Sequence, residues 1–369
     1  MSEYRNWLQQ QALASVTQPL SSRVDSSDED YIQAKGYEKL GWRHFRRRVQ
    51  FLMSGQQKYL TNAIDPGWKK ALWIYKGIPQ IGDALMDLAP RGLLRQQGFY
   101  VDLFTDSHLA ALFKDDPWLD RVGHNPQLIA DQNYDFVIAP SNMNRSLKYK
   151  AQLAPRLPWV SMNGFYTGPE FHRGKFSTQR LLDLLGHETT ELEFSRHQQQ
   201  KLSPLEFSVH SPQRTTRIAI ALGGVDPART YCHWLAVAKA LFQRSQNIEL
   251  TLLGSGNAVE VTRAFIGQVS HPQNVVDQVN KTDLAQCRSL ISQQDLLIAA
   301  DGGLMHLGTT TAVKLVSLFH KKVQPHWRLS EPHLQLALQS TTHAVSDIAV
   351  QAIVQACTDA LADQRVPEY

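Results

Sequence analysis

The chain has 369 residues, enough for two domains that each bury a core. With 43% hydrophobic and 20% charged residues it has the balance of an ordinary globular protein, which excludes a disordered chain. Lys and Arg number 38 against 34 Asp and Glu, too mild an excess for a genome-binding protein, so no nucleic-acid partner is expected.

Residues 1–68 read as a helical extension with little strand character, broken by a polar stretch of Ser21, Ser22, Ser26 and Ser27 with Asp25, Asp28, Glu29 and Asp30. After the break, Trp42, Phe45, Val49 and Leu52 recur at helical spacing while Arg43, Arg46, Arg47 and Arg48 crowd the intervening positions. Two readings stand for this helix. Either it packs on the body with solvated arginines, or it is a basic amphipathic surface that meets an anionic inner-membrane leaflet.

Asp65-Pro66-Gly67 closes the extension, and residues 69–195 are expected as a first Rossmann-like domain. Ala71 to Tyr75 is a strand, Gly77 to Gly82 a loop, Asp83 the head of a helix carrying Leu85, Leu88, Leu93 and Leu94, and Tyr100 to Phe104 the next strand after the helix-ending Gly98. This is a βαβ unit, hence a parallel sheet. A helix from Asp106 to Phe113 and strands at Asp135 to Ala139 and Trp159 to Ser161 extend it. The stretch from Phe171 to Ser211, charged and Gln-rich, holds the boundary.

Residues 212–369 are expected as a second Rossmann-like domain. Its strands are Thr216 to Leu222, Ile248 to Leu253, Asn274 to Val279, Leu296 to Ala300 and Val313 to Phe319, alternating with helices from about Thr230, Val259 and Asp283, and Ile348 to Leu361 is a final helix. The alternation predicts an α/β protein of two Rossmann-like domains facing one another across a cleft.

In such sheets ligands bind beyond the carboxyl ends of the strands, which singles out Lys76 to Asp83, Gly223 to Arg229, Gly254 to Gly256 and Asp301 to His306. Asp301-Gly302-Gly303 ends a strand abruptly, so an anionic ligand can approach the amides that follow; Asp301 either accepts from a sugar hydroxyl or fixes the turn, and His306 either donates to the ligand or packs in the core. Asp83 either caps its helix or acts as a general base, a role typically worth about 10²- to 10⁴-fold. Lys76, Arg229 and His306 are cations able to offset charge on a departing diphosphate. No G-x-G-x-x-G stands in the right place, and no P-loop or G-x-S-x-G elbow occurs. His and carboxylates show no ligand spacing, so no metal or cofactor is expected. Cys232, Cys287 and Cys357 lie far apart, which points away from disulfides or structural zinc and toward a reducing cytoplasm. Neither a signal peptide nor an apolar run of roughly 18 residues is seen, so no spanning segment is expected.

Asp301-Gly302-Gly303-Leu304-Met305-His306-Leu307, preceded by Thr282-Asp283-Leu284 and Asp295 to Ile298, together with Gly82-Asp83-Ala84-Leu85 and Pro90 near the other end, resembles the signature of family 9 glycosyltransferases, the ADP-heptose:lipopolysaccharide heptosyltransferases. The resemblance runs from about Leu72 to the C-terminus and leaves the extension unmatched. It implies a GT-B fold and metal-independent, inverting transfer from a nucleotide-diphosphate sugar to a lipopolysaccharide-type glycan or glycolipid. It further implies that Asp83 is the catalytic base, that Asp301, Gly302, Gly303 and His306 bind the donor, and that Gly223, Gly224 and Arg229 contact its phosphates. The chain departs from the pattern where His320-Lys321-Lys322 replaces Gly-Pro-Thr and Lys76 to Gln80 replaces a shorter Ser/Thr-rich loop. A nucleotide-sugar 2-epimerase and a non-catalytic sugar-nucleotide binding protein are the alternatives.

Overall fold

A computed structural model describes residues 2–22, 24, 28–130, 132–203 and 215–362. Asp25, Ser26 and Ser27 of the polar break, and residues 204–211 of the expected boundary stretch, lie outside the described residues. The chain divides into two compact units, Met1–Gln199 and Gln200–Tyr369.

The first unit opens with three helices, α1 (Ser2–Val16), α2 (Asp28–Lys35) and α3 (Tyr37–Met53). The described residues of 1–68 pack into this unit. Gly41 brings α3 onto α1, since a Cβ there would stand 2.6 Å from the Leu8 carbonyl oxygen. Phe51 lies edge-on to Trp159 and Phe165, Leu60 pairs with Trp159 as a parallel bridge, and the Ile64 amide donates to the Leu184 carbonyl. Burying a phenylalanine contributes roughly 2–3 kcal/mol, so Phe51 alone ties the extension down firmly.

The face of α3 that is buried differs from the one its aromatic spacing predicts. Leu40, Gly41, His44 and Phe51 face the interior, whereas Trp42, Phe45 and Leu52 are exposed. The reason is α1: Trp7 stacks edge-on with Trp42 and Phe45 at 5.7 and 5.2 Å, and Tyr4 accepts from the Trp42 indole, forming an aromatic cluster on the outside of the helix pair.

The first sheet holds β1 (Lys70–Tyr75), β2 (Tyr100–Thr105), β3 (Arg121–Gly123), β4 (Phe136–Ala139) and β5 (Trp159–Ser161), all parallel in the order β3-β2-β1-β4-β5. Its helices are α4 (Ile81–Asp87), α5 (Arg91–Gln96), α6 (Ser107–Leu112), α7 (Gln127–Ala130), α8 (Asn144–Leu153), α9 (Arg173–Leu185) and α10 (Glu191–His197). The helix expected from Asp83 through Leu94 is two, because Pro90 cannot supply an amide to continue the first. Asp83 is not a cap either. It is the third residue of α4, and Gln80 holds the cap position without a side-chain bond.

The second sheet holds β6 (Thr216–Ala221), β7 (Ile248–Leu253), β8 (Val275–Asp277), β9 (Leu296–Ala300), β10 (Lys314–Phe319) and β11 (Ala337–Gln339), again parallel, in the order β11-β10-β9-β6-β7-β8. That is the doubly wound dinucleotide-fold order. Around it run α11 (Trp234–Arg244), α12 (Val259–Ile266), α13 (Leu284–Ser292), α14 (Gly303–Gly308), α15 (Glu331–Leu334) and α16 (Val350–Ala362). Its central strand β9 is apolar throughout because helices cover both faces, and Ile218, Leu250, Ile298 and Val316 join Val237, Leu241, Ile353 and Cys357 in one core. Asp283 caps α13 in a capping box with Gln286.

Candidate active site

In the first unit the topology reverses between β1 and β4, and a cavity of about 600 Å³ opens there. Ile78, Gln80 and Asp83 from the β1–α4 segment and Ser141, Met143 and Asn144 to Ser146 from the β4–α8 segment line it, with Arg173 of α9 and Arg47 of α3. Asp83 and Asp87 are one helical turn apart on α4 and share the Arg173 guanidinium. Asp87 has the greater part: Arg173 Nε donates to its Oδ1 at 2.9 Å, and the buried Tyr75 hydroxyl donates to its Oδ2 at 2.9 Å. Asp83 sits 3.4 Å from Arg173 Nη1 with a third of its side chain exposed. Burial opposes the charge on Arg173, but Asp87 and then Asp83 outweigh it and raise its pKa well above the usual value. Burial, and then Asp87, push the Tyr75 hydroxyl up, so it stays a donor. Both carboxylates line the cavity, Asp87 the more tightly held and Asp83 the more exposed.

Lys76 follows β1 but is already engaged. Its ammonium lies 3.2 Å from Asp106, donates to the Thr105 carbonyl at 2.9 Å and stands over the Phe104 ring. These contacts bind it to the end of β2.

In the second unit the reversal falls between β6 and β9. Gly223 leaves β6 at φ +83, in the left-handed region that favours glycine, and a Cβ on Gly224 would stand 2.6 Å from Thr230 Oγ1. Asn257 donates to the Gly224 carbonyl at 2.9 Å, locking this turn to the loop after β7. Gly302 differs: its backbone is extended, and an added Cβ would meet nothing nearer than the Ala300 carbonyl at 3.7 Å. Among the described residues nothing in the unit demands glycine there. Gly303 starts α14, a helix of six residues held against β9 because Gly308 lets Leu297 come near.

Asp301 is buried at the end of β9 between two arginines and a histidine. Arg229 Nη1 lies 3.4 Å from its Oδ2, while Arg328 Nε and His306 Nε2 each lie 3.8 Å from its Oδ1. Its Oδ2 has no hydrogen-bond partner among the described residues. A buried acceptor left so costs about 1–3 kcal/mol, and a ligand hydroxyl would recover it. His306 Nδ1 donates to Gln200 Oε1 at 2.8 Å, and Gln200 Nε2 donates to the Arg328 carbonyl at 2.7 Å. His320, where the chain departs from the family pattern, is buried beside this group; burial, and then Arg229, lower its pKa, and its Nδ1 accepts from the Lys322 amide. Two guanidiniums around one carboxylate leave a net positive patch suited to a diphosphate.

Sequence reasoning did not find Arg173, Gln200 or Arg328. Gln200 ends a Gln run that reads as linker, and Arg173 opens a helix inside the expected boundary stretch. Among the described residues no cluster of three or more His, Cys, Asp or Glu could hold a metal, and no helix is long and apolar enough to cross a membrane.

Residues 175–352 match the sequence model of glycosyltransferase family 9 (heptosyltransferase). No curated protein sequence matches the chain. Among solved structures, the glycosyl transferase family 9 protein from Veillonella parvula is similar at 16% identity over 82% of this chain and 99% of that one, with a TM-score of 0.63. The E. coli ADP-heptose lps heptosyltransferase II is similar at 17% identity over 79% and 98%, TM-score 0.56. The E. coli heptosyltransferase WaaC with ADP is similar at 15% identity over 79% and 99%, TM-score 0.59. These likenesses establish the fold, two parallel α/β sheets of the GT-B kind with helices ahead of the first.

Proposed function

We propose that this chain, a glycosyltransferase carrying a family 9 domain over residues 175–352, moves heptose or a related sugar from an ADP-heptose-like nucleotide diphosphate to a lipopolysaccharide core or similar glycan, with inversion and without metal. The acceptor hydroxyl gives its proton to Asp83 as its oxygen attacks the anomeric carbon. The bond from that carbon to the diphosphate oxygen breaks, and the nucleoside diphosphate leaves with the electron pair. Attack from the side opposite the leaving group inverts the configuration.

The observation that carries the reading is the unequal sharing of Arg173, which holds Asp87 the more tightly and leaves Asp83 the more exposed of the two at the cavity. On the donor side, the buried and under-bonded Asp301 supports a bond from a sugar hydroxyl, while Arg229, His306 and the missed Arg328 support neutralisation of the diphosphate. Gly223, Gly224, Gly302 and Gly303 supply the backbone of the two donor turns. Lys76, held by Asp106, takes no part in this scheme. The E. coli neighbour named with ADP supports a nucleotide donor.

A cytoplasmic enzyme in peripheral contact with an anionic inner-membrane surface fits the exposed aromatic cluster of Tyr4, Trp7, Trp42 and Phe45 beside the exposed Arg46. The test of the transfer is product analysis with ADP-heptose and a lipopolysaccharide core acceptor. An inverted anomeric product formed equally well in a chelator is expected; retention of configuration, or activity lost in chelator and restored by a divalent ion, contradicts the scheme.

A further inference from the structure

The second unit begins at Gln200, ahead of its first strand, and residues 200–203 form neither helix nor strand. Polar bonds nevertheless fasten this short lead-in at both ends. Arg288 of α13 donates to the Ser203 carbonyl at 2.7 Å and, through Nε, to Thr310 Oγ1 at 2.9 Å, just beyond α14. Leu202 is buried between the two ends. Gln200, buried as well, meets α14 at His306.

The bonds of Gln200 fix where the protons of His306 lie. The Arg328 carbonyl can only accept, so the Gln200 nitrogen faces it at 2.7 Å, and Oε1 faces His306 Nδ1 at 2.8 Å. Oε1 also only accepts, so Nδ1 carries a proton. The other ring nitrogen, Nε2, stands 3.8 Å from Asp301 Oδ1. Without a proton it would turn a lone pair on a buried carboxylate. Both nitrogens thus face acceptors, which favours the imidazolium. Burial and the two guanidiniums on Asp301, Arg229 and Arg328, oppose that charge, and a bound diphosphate offsets the opposition. The other titratable groups around it, among the described residues, are His320 and, from α15, His333, which bonds the Thr309 backbone at the end of α14.

We infer that Gln200 is a positioning residue for the donor: by accepting from His306 Nδ1 it makes the histidine meet the bound diphosphate as an imidazolium, with its Nε2 proton turned to Asp301 and the ligand. The inference rests on the reading of Asp301, Arg229 and His306 as the donor side. Gln200 acts through His306 and not on the ligand itself. The donor site therefore reaches back to the residue at which the second unit begins.

Nitrogen NMR of the full chain with labelled histidines, in complex with ADP, tests it; the signal lost in His306→Gln identifies His306. Both ring nitrogens should carry protons at pH 7. Gln200→Leu removes the acceptor and should lower the pH at which this histidine gives up a proton. Gln200→Glu sets a carboxylate there and should raise it, and a general loosening of the fold does not produce such opposite shifts. By calorimetry Gln200→Leu should bind ADP about tenfold more weakly than wild type at pH 8 and nearly as well at pH 6, where the imidazolium forms unaided. A single proton on His306 in the ADP complex, shifts of one sign in both variants, or an affinity loss equal at both pH values overturns the inference and leaves the donor site standing. No ADP binding by wild type overturns the donor assignment and this inference with it. Absence of sugar transfer while the ADP results hold counts against the transferase reading alone.

Discussion

Asp83 and Asp87 lie one turn apart on α4, and the second holds the Arg173 fork and the Tyr75 hydroxyl while the first meets that arginine at the longer distance of 3.4 Å. The pair therefore divides support from chemistry. Asp87→Ala strands both Arg173 and a buried tyrosine hydroxyl, and should lower stability by about 2 kcal/mol in urea titration. Asp83→Ala removes a longer, partly exposed contact and should change stability by less than about 1 kcal/mol. Equal losses would mean that the two carboxylates have the same structural task.

His44 predicts acid sensitivity. Burial, and then Arg48 and Arg47, lower its pKa to about 4, and neither ring nitrogen has a hydrogen-bond partner among the described residues. The folded state thus binds no proton there while the unfolded chain does between its usual 6.5 and about 4, so stability falls as pH falls through that window. His333 in the second unit, lowered to about 4 by burial, acts in the same direction. His44→Leu should flatten the profile by about 3 kcal/mol between those limits, read by urea titration at each pH. An unchanged profile would show that His44 does not titrate on unfolding.

On the donor side, Asp301→Ala removes the acceptor around which Arg229, Arg328 and His306 gather. Affinity for an ADP-sugar should fall about tenfold or more by calorimetry, while Lys76→Met, whose ammonium is held by Asp106, should leave it unchanged. The reverse pattern would return the donor charge to Lys76.

Membrane contact is tested on the exposed face of α3 alone. Replacing Arg43, Arg46, Arg47 and Arg48 together would disturb the cavity and the Phe165 stack as well. Trp42→Ser with Phe45→Ser and Arg46→Gln should float less than wild type on anionic vesicles at low salt, and equal flotation would make the cluster structural only.

The parallel strands were legible because sheets covered on both faces leave apolar runs such as Leu296 to Ala300. The edge strands Arg121–Gly123 and Ala337–Gln339 were not, being three residues long and partly exposed. Glycine pairs at strand ends pointed to Gly223 and Asp301, since turn chemistry is local. Arg173, Gln200 and Arg328 act across long sequence separations, as in Arg173 to Asp87, and carry no local pattern. The buried face of α3 was misread because His44 and Gly41 fill it, while its aromatic residues pair with α1 outside.

The central claim is that Asp83 takes the acceptor proton, and Asp83→Asn tests it with least disturbance of the Arg173 anchor. Turnover with ADP-heptose and a lipopolysaccharide core acceptor should drop by at least about 10², since a general base supplies that much, while donor affinity by calorimetry stays near wild type. A variant that keeps more than about a tenth of wild-type kcat would contradict the assignment and leave Asp83 a structural partner of Arg173 rather than the base.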